Sequence, residues 1–483
     1  MKNSSLVNIL RKFTPKEMKE FREFINSPFF NKNKNVIKLY DIIKKAYPKL
    51  EDDKLNKEKV FAKLFPGQKY KDSTMRLLMF YLYEAAEKYI VFQKMLSDNF
   101  SVKEKLLTSL RERDLLKESQ RVAREIEAEF KKTSLKDEAY FMNRFLYDFE
   151  YLNLLDIIHI GKYEKYLTKN HTESALRNLT YYYLARALKF YTIIINTQKL
   201  LNVEFDFKFF EKIINSINID DFSDSPVIML YYSTVMALQK PNEEKYYYEM
   251  KEYVQKYEKE LDLDNLLDIY VNLENYCIRK SRVGKKEFDK ELFEIYRLEL
   301  DKKLYLHHNQ MTHHFYKSVV ITSLDLKEFE WTENFIEKYK NEVVAEFRDS
   351  AYYFCLSRVE LKKKNFEKSL EYLSKVRTDE IYMKTETRLM QGVLFYELNL
   401  DDPLNSLTDT LRHFFKNQKF IARDRLIFYH DFVKSLSKLN SLKNKKNAFE
   451  AEKLKEQIES KDKVFMKKWL VEKTEELLSN NKT

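Results

Sequence analysis

Glycine occurs 4 times in 483 residues and proline 7 times, against average usage of about 7% and 5%. Glycine accepts positive φ in tight turns and lets backbone approach a phosphate or cofactor closely. A chain almost without it is expected to have few hairpins and no glycine-rich ligand loop. It must be built from long helices joined by simple turns. Lys outnumbers Arg 67 to 20, and Asn, Ile, Phe and Tyr are abundant. These residues share A/T-rich codons, so part of the bias is genomic, and the helical reading has to rest on periodicity.

Periodicity supports it. Thr14-Pro15-Lys16-Glu17 is a helix start: Thr as N-cap, Pro at the first helical position, Glu three after the cap. Met18, Phe21, Phe24 and Ile25 then fall on one helical face, and Ser27-Pro28 ends the run. Residues 35–47 form a second helix closed by Pro48, and Phe65-Pro66-Gly67 is a turn. Asp72 or Ser73 caps a long helix to about Met95, and Glu104–Lys132 is one long helix or two. Further helices are predicted at 137–160 (ending at Gly161), 172–200, 226–240, 243–260, 264–282, 285–306, 310–325 and 332–347. The total is roughly twenty helices, with essentially no sheet, because no segment alternates with period two between turn signals.

A repeat is visible at 350–416. One helix carries Tyr353, Leu356, Ser357, Val359 and Leu361, and Asn365-Phe366-Glu367-Lys368-Ser369-Leu370 begins its partner. The next unit shows Leu389, Gly392, Leu394 and Tyr396, then Pro403, Leu404, Leu407 and Leu411. Ser357 and Gly392 lie 35 positions apart. This resembles a degenerate tetratricopeptide pair, whose period is about 34 residues with a small residue where the two helices cross. It departs from that pattern in lacking Trp-x-x-Leu-Gly and in an insertion around Asp401-Asp402. Ser27-Pro28-Phe29-Phe30-Asn31, followed by Phe65-Pro66-Gly67, is similar to a group of uncharacterised bacterial proteins of comparable length. That likeness implies a fold and no chemistry. The expected architecture is all-α: a two-helix-repeat solenoid, tetratricopeptide-like, with a helical N-terminal cap. Its divisions are a basic helical domain over 1–98, the repeats over 99–440 and a charged helical cap over 441–483.

Net charge is +11 but uneven. Residues 1–50 carry 12 basic and 4 acidic side chains, residues 434–483 carry 13 and 8, and residues 201–350 carry 21 and 30. The ends are therefore basic and the middle acidic. Two cysteines, Cys277 and Cys355, read as small buried hydrophobes rather than a disulfide framework. The N-terminal apolar stretch is too short for a signal peptide, and no window approaches the ~18 apolar residues of a membrane span. A cytoplasmic protein that does not bind membranes is expected.

Catalytic signatures are missing. Gly67, Gly161, Gly284 and Gly392 are isolated, so no phosphate-binding loop can be written, and neither H-E-x-x-H nor G-x-S-x-G occurs. Four of the eight histidines fall in His307-His308-Asn309-Gln310-Met311-Thr312-His313-His314. On a helix His308 and His313 point about 140° apart, and His307 and His314 are about 10 Å apart along the axis. One zinc cannot bridge them, so no metal and no cofactor is assigned. The chain is not expected to be an enzyme.

Two tyrosine triplets, Tyr181-Tyr182-Tyr183 and Tyr246-Tyr247-Tyr248, sit in predicted helices. Three consecutive residues sweep about 200° of helix surface, more than one buried stripe, so at least one of each triplet is expected to be partly exposed. The expected function is a non-catalytic scaffold or adaptor that binds a protein or peptide on a curved surface through these tyrosines. The alternative is nucleic-acid binding by the N-terminal region, where Lys32, Lys34 and Lys38 lie among Phe29, Phe30 and Tyr40.

Overall fold

The computed structural model describes residues 1, 4–50, 55–133, 136–159, 171–200, 203–307, 309–443, 447–461 and 464–480. Gly161 and His308 lie outside the described residues. The described residues hold 23 α-helices. None of the described helices is long and apolar enough to cross a membrane. The expected start at Thr14 is present as a reciprocal box: Glu17 N donates to Thr14 Oγ1 at 3.2 Å, and Thr14 N donates to Glu17 Oε2 at 2.6 Å. Met18, Phe21, Phe24 and Ile25 of the Pro15–Asn26 helix are all buried. The 104–132 region is two helices, Asn99–Arg111 and Leu116–Phe130, parted by Asp114 at φ 54°. Ser225-Pro226 opens Pro226–Gln239 as expected, whereas the helix expected over 332–347 is Phe329–Tyr339.

Helix ends carry a surprise. Six helices close with an N–H reaching back five residues, at 2.8–3.2 Å: Leu115 to Leu110, Lys285 to Lys280, Leu304 to Glu299, Glu328 to Ser323, Asn365 to Glu360 and Leu400 to Phe395. This closure needs a left-handed residue just past the helix, normally glycine. Here Gly284 serves once, and Asp114, Lys303, Lys327, Lys364 and Asn399 adopt φ between 54° and 66° at the other five. The chain keeps the turn geometry while doing without the residue that suits it. The only strands among the described residues are Leu306–His307 and Gln310–Met311, an antiparallel pair reversed at Asn309 with φ 62°.

The chain divides into two units. The first is Met1–Lys132 with Asn143–Ala175. It contains one apolar core from Leu6 to Tyr89 and a smaller one built from Leu107, Val122, Ala123, Ile126, Tyr147 and Leu154. In the larger core Phe21 meets Tyr40 edge-on at 5.1 Å, and the Tyr40 hydroxyl donates to the Met18 carbonyl. The Ser27–Asn31 motif is a turn: Phe30 N and Asn31 N both donate to Ser27 O, and Asn31 Nδ2 caps Ile25 O at 2.9 Å. Phe30 stacks on Phe24 at 3.9 Å, while Phe29 is 87% exposed.

The second unit is Thr133–Met142 with Leu176–Thr483 and has one continuous core. Its helices pack on their sequence neighbours and, in places, on the next but one. Pro226–Gln239 packs on Lys245–Tyr257 and Leu263–Arg282, His313–Asp325 on Phe329–Tyr339 and Arg348–Lys362, and Ile381–Glu397 on Asp401–Asn417 and Arg423–Leu442. Small residues mark close crossings. Ser369 Oγ donates to Ser357 O at 2.7 Å between Arg348–Lys362 and Phe366–Ser374. A methyl on Gly392 would meet Leu436 Cδ2 at 2.9 Å.

Candidate functional site

In the second unit, five helices bring charged side chains into one cluster. Leu263–Arg282, capped by Asp262 accepting from Asn265 N at 2.8 Å, ends in a basic turn carrying Arg279 and Arg282. That placement suits the negative end of the helix dipole. His313–Asp325 opens with His313 and His314 behind the Thr312 cap, and Lys317 follows one turn later. Arg348–Lys362 supplies Arg358. Glu380 caps Ile381–Glu397, accepting from Tyr382 N at 2.9 Å and Met383 N at 2.7 Å, and Glu386 lies further along that helix. Arg423–Leu442 supplies Arg425 and Tyr429.

Glu386 is the hub. Lys317 Nζ donates to it at 2.9 Å and Tyr429 OH at 3.4 Å, while Arg425 lies 5.3 Å over the Tyr382 ring. Burial acts to raise the Glu386 carboxyl, but Lys317, Arg425 and Arg358 outweigh it and keep it ionised. At Glu380 burial is likewise outweighed, by His313, His314 and the two capping amides, which hold the carboxyl at about 2. His314 has open surface, yet desolvation by the surrounding protein, with His313 and Lys317, pushes it down to about 4.

The cations are less well served. Arg279 is pushed down to about 10 by desolvation. Arg282 reaches the same value through desolvation and the neighbouring Arg425, although its side chain has open surface. Arg279 Nε and Nη2, Arg358 Nε and His313 Nε2 are buried with no hydrogen-bond partner. Five cations thus face two carboxylates, and part of their donor capacity is unused. Such an arrangement favours an anion. Cys355, near Lys317 and Arg358, is pushed up to about 12 by burial, which the two cations only partly oppose, so its thiol stays protonated.

The residues expected from sequence lie elsewhere. Tyr181 is core: it packs on Phe141 and Phe222, and its hydroxyl donates to Asp224 Oδ1 at 2.8 Å. Tyr247 is core too, stacked on Tyr276 at 4.6 Å with its hydroxyl donating to Glu291 at 3.0 Å. Tyr182 and Tyr246 are half-buried, the latter with Lys245 Nζ 4.7 Å from its ring. Tyr183 and Tyr248 are 45% and 52% exposed, so each triplet has its outward member. Lys32, Lys34 and Lys38 are exposed in the first unit.

The cluster was not legible in the sequence because its members come from five separate helices and form no local motif. One signal was available: Arg is scarce, yet Arg279, Arg282, Arg358 and Arg425, four of 20, end up together. Codon bias accounts for an excess of Lys and not for that. The chain matches no family model, no curated protein and no solved structure.

Proposed function

We propose that this chain is a non-catalytic scaffold or adaptor, a tetratricopeptide-like solenoid of two-helix repeats, that captures an acidic segment of a partner protein at the arginine-rich cluster. One observation carries the reading. The cluster's side chains come from every second helix: Leu263–Arg282, His313–Asp325, Arg348–Lys362, Ile381–Glu397 and Arg423–Leu442. In a stack of antiparallel helix pairs, alternate helices form one inner row, and that row is the surface on which an extended ligand lies. The small-residue crossings at Ser357 and Gly392 and the contacts between next-but-one helices support the same stacking. Desolvated guanidiniums short of acceptors gain most from carboxylates, which take the planar fork two bonds at a time.

Fluorescence anisotropy with a labelled Glu/Asp-rich peptide, a Lys-rich control and a single-stranded oligonucleotide tests this. The acidic peptide is expected to bind. Arg282→Glu with Arg425→Glu weakens it by about 100-fold or more, since each lost charged pair is worth roughly 1.5–3 kcal/mol. Lys32→Glu with Lys34→Glu and Lys38→Glu leaves it unchanged. Tight oligonucleotide binding that is lost only in the N-terminal triple variant overturns the reading in favour of nucleic acid.

A further inference from the structure

We propose that His313, His314 and Glu380 form a three-ligand site for a borderline divalent transition cation such as zinc. One ligand atom from each residue lies within 4.8 Å of the others, the only such group among the described residues. His313 Nε2 stands 3.8 Å from Glu380 Oε2, too far for a hydrogen bond. That nitrogen is buried and has no hydrogen-bond partner within 3.5 Å, and His313 is only 7% exposed. An unsatisfied buried nitrogen is costly, and a bound cation removes that cost.

The distances fit an ion. Zinc binds imidazole nitrogen and carboxylate oxygen at about 2.0–2.2 Å, which places neighbouring ligands of a tetrahedral centre about 3.4 Å apart. The observed gaps close to that by small side-chain rotations. The imidazole rings already lie 3.9 Å apart, and Phe347 holds the His313 ring from the other side at 4.2 Å. Each Glu380 oxygen holds one backbone amide, which orients the carboxylate and leaves each oxygen a second lone pair. Lys317, one turn along the His313–Asp325 helix, has its charge taken up by Glu386. Two imidazoles and one carboxylate suit zinc, cobalt or nickel rather than magnesium or calcium. Three protein ligands leave a position open to water or to an anion. The site joins the start of His313–Asp325 to the cap of Ile381–Glu397, so the metal also clips two helices distant in sequence.

The test is calorimetric titration of zinc chloride into the full chain after treatment with a chelator. One equivalent is expected to bind, and roughly 100 µM zinc saturates a site with a Kd of ~1 µM. Glu380→Gln, which keeps an oxygen for the capping amides, and His314→Gln each weaken binding at least ~10-fold. His413→Ala, on an exposed histidine outside the cluster, does not. Cobalt added to the unaltered protein reports the coordination without any substitution: intense visible bands of a four- or five-coordinate ion support the site. The weak spectrum of a six-coordinate ion overturns it. So does an absence of saturable zinc binding, or equal affinity in Glu380→Gln and His314→Gln. Peptide capture plays no part in these readouts, so failure here leaves the acidic-segment reading standing, and the converse also holds.

Discussion

Glu274 and Glu299 show what burial does to a single pair of residues. They come from Leu263–Arg282 and Glu287–Lys302, two helices packed on each other, and Glu299 is 2% exposed. Desolvation raises both carboxyls. It takes Glu274 to about 7, against which its hydrogen bond with Glu299 works, while the Glu274 charge raises Glu299 further. The pair therefore keeps a proton that either carboxyl would lose near 4.5 in the unfolded chain. Above about 4.5 the folded state binds more protons than the unfolded chain, so stability falls as pH rises until the pair ionises in the fold. Glu299→Gln keeps a donor for Glu274 and removes the shared proton. Urea midpoints measured at pH 5 and pH 7.5 should drop clearly for the parent protein and by much less for the variant. An equal drop in both would assign the pH dependence to other groups.

At the scale of the element, the helix ends are where composition and geometry conflict. A left-handed residue that is not glycine costs roughly 1–2 kcal/mol, and five of the six long-reach closures carry that cost. Lys364 is the clearest case: φ is 64°, the side chain is exposed, and Asn365 N reaches Glu360 O at 2.9 Å. Lys364→Gly is expected to raise stability by about 1 kcal/mol, read as an increase in the chemical denaturation midpoint at unchanged slope. Lys303→Gly in the same protein should add to it, because the two sites share no partner. The reverse substitution, Gly284→Ala at φ 91°, should destabilise. Glycine scarcity thus marks a helical chain without marking relaxed turns: the inference from composition to fold class held, and the inference from composition to simple connections did not.

For the whole molecule, the apolar cores are the units of stability. The core from Leu6 to Tyr89 shares no buried residue with the large core that runs from Phe141 to Leu477. Phe21 is fully buried in the smaller one, against Phe13, Tyr40 and Tyr89. Phe21→Ala, costing about 3–5 kcal/mol, is expected to lower one unfolding transition and leave a second, larger one in place when helicity is followed against denaturant. A single transition shifted as a whole would mean that the cores unfold together. Sequence alone determined the helical class, the start at Thr14, the break at Ser27-Pro28, the opening at Pro226 and the buried stripe of Pro15–Asn26. These rest on contacts within four residues, and a linear string records such contacts directly. It also placed one exposed tyrosine in each triplet, because three successive positions span more of a helix than one packed stripe covers. The meeting of Arg279, Arg282, Arg358 and Arg425, and of His313 and His314 with Glu380, was decided only by the tertiary structure. Each of those groups joins residues tens of positions apart, and the packing angles that bring alternate helices together depend on side chains throughout the core. The spacing argument for the histidine run compared His308 with His313 and His307 with His314; it did not weigh the adjacent pair His313 and His314, which the fold brings near Glu380 of another helix.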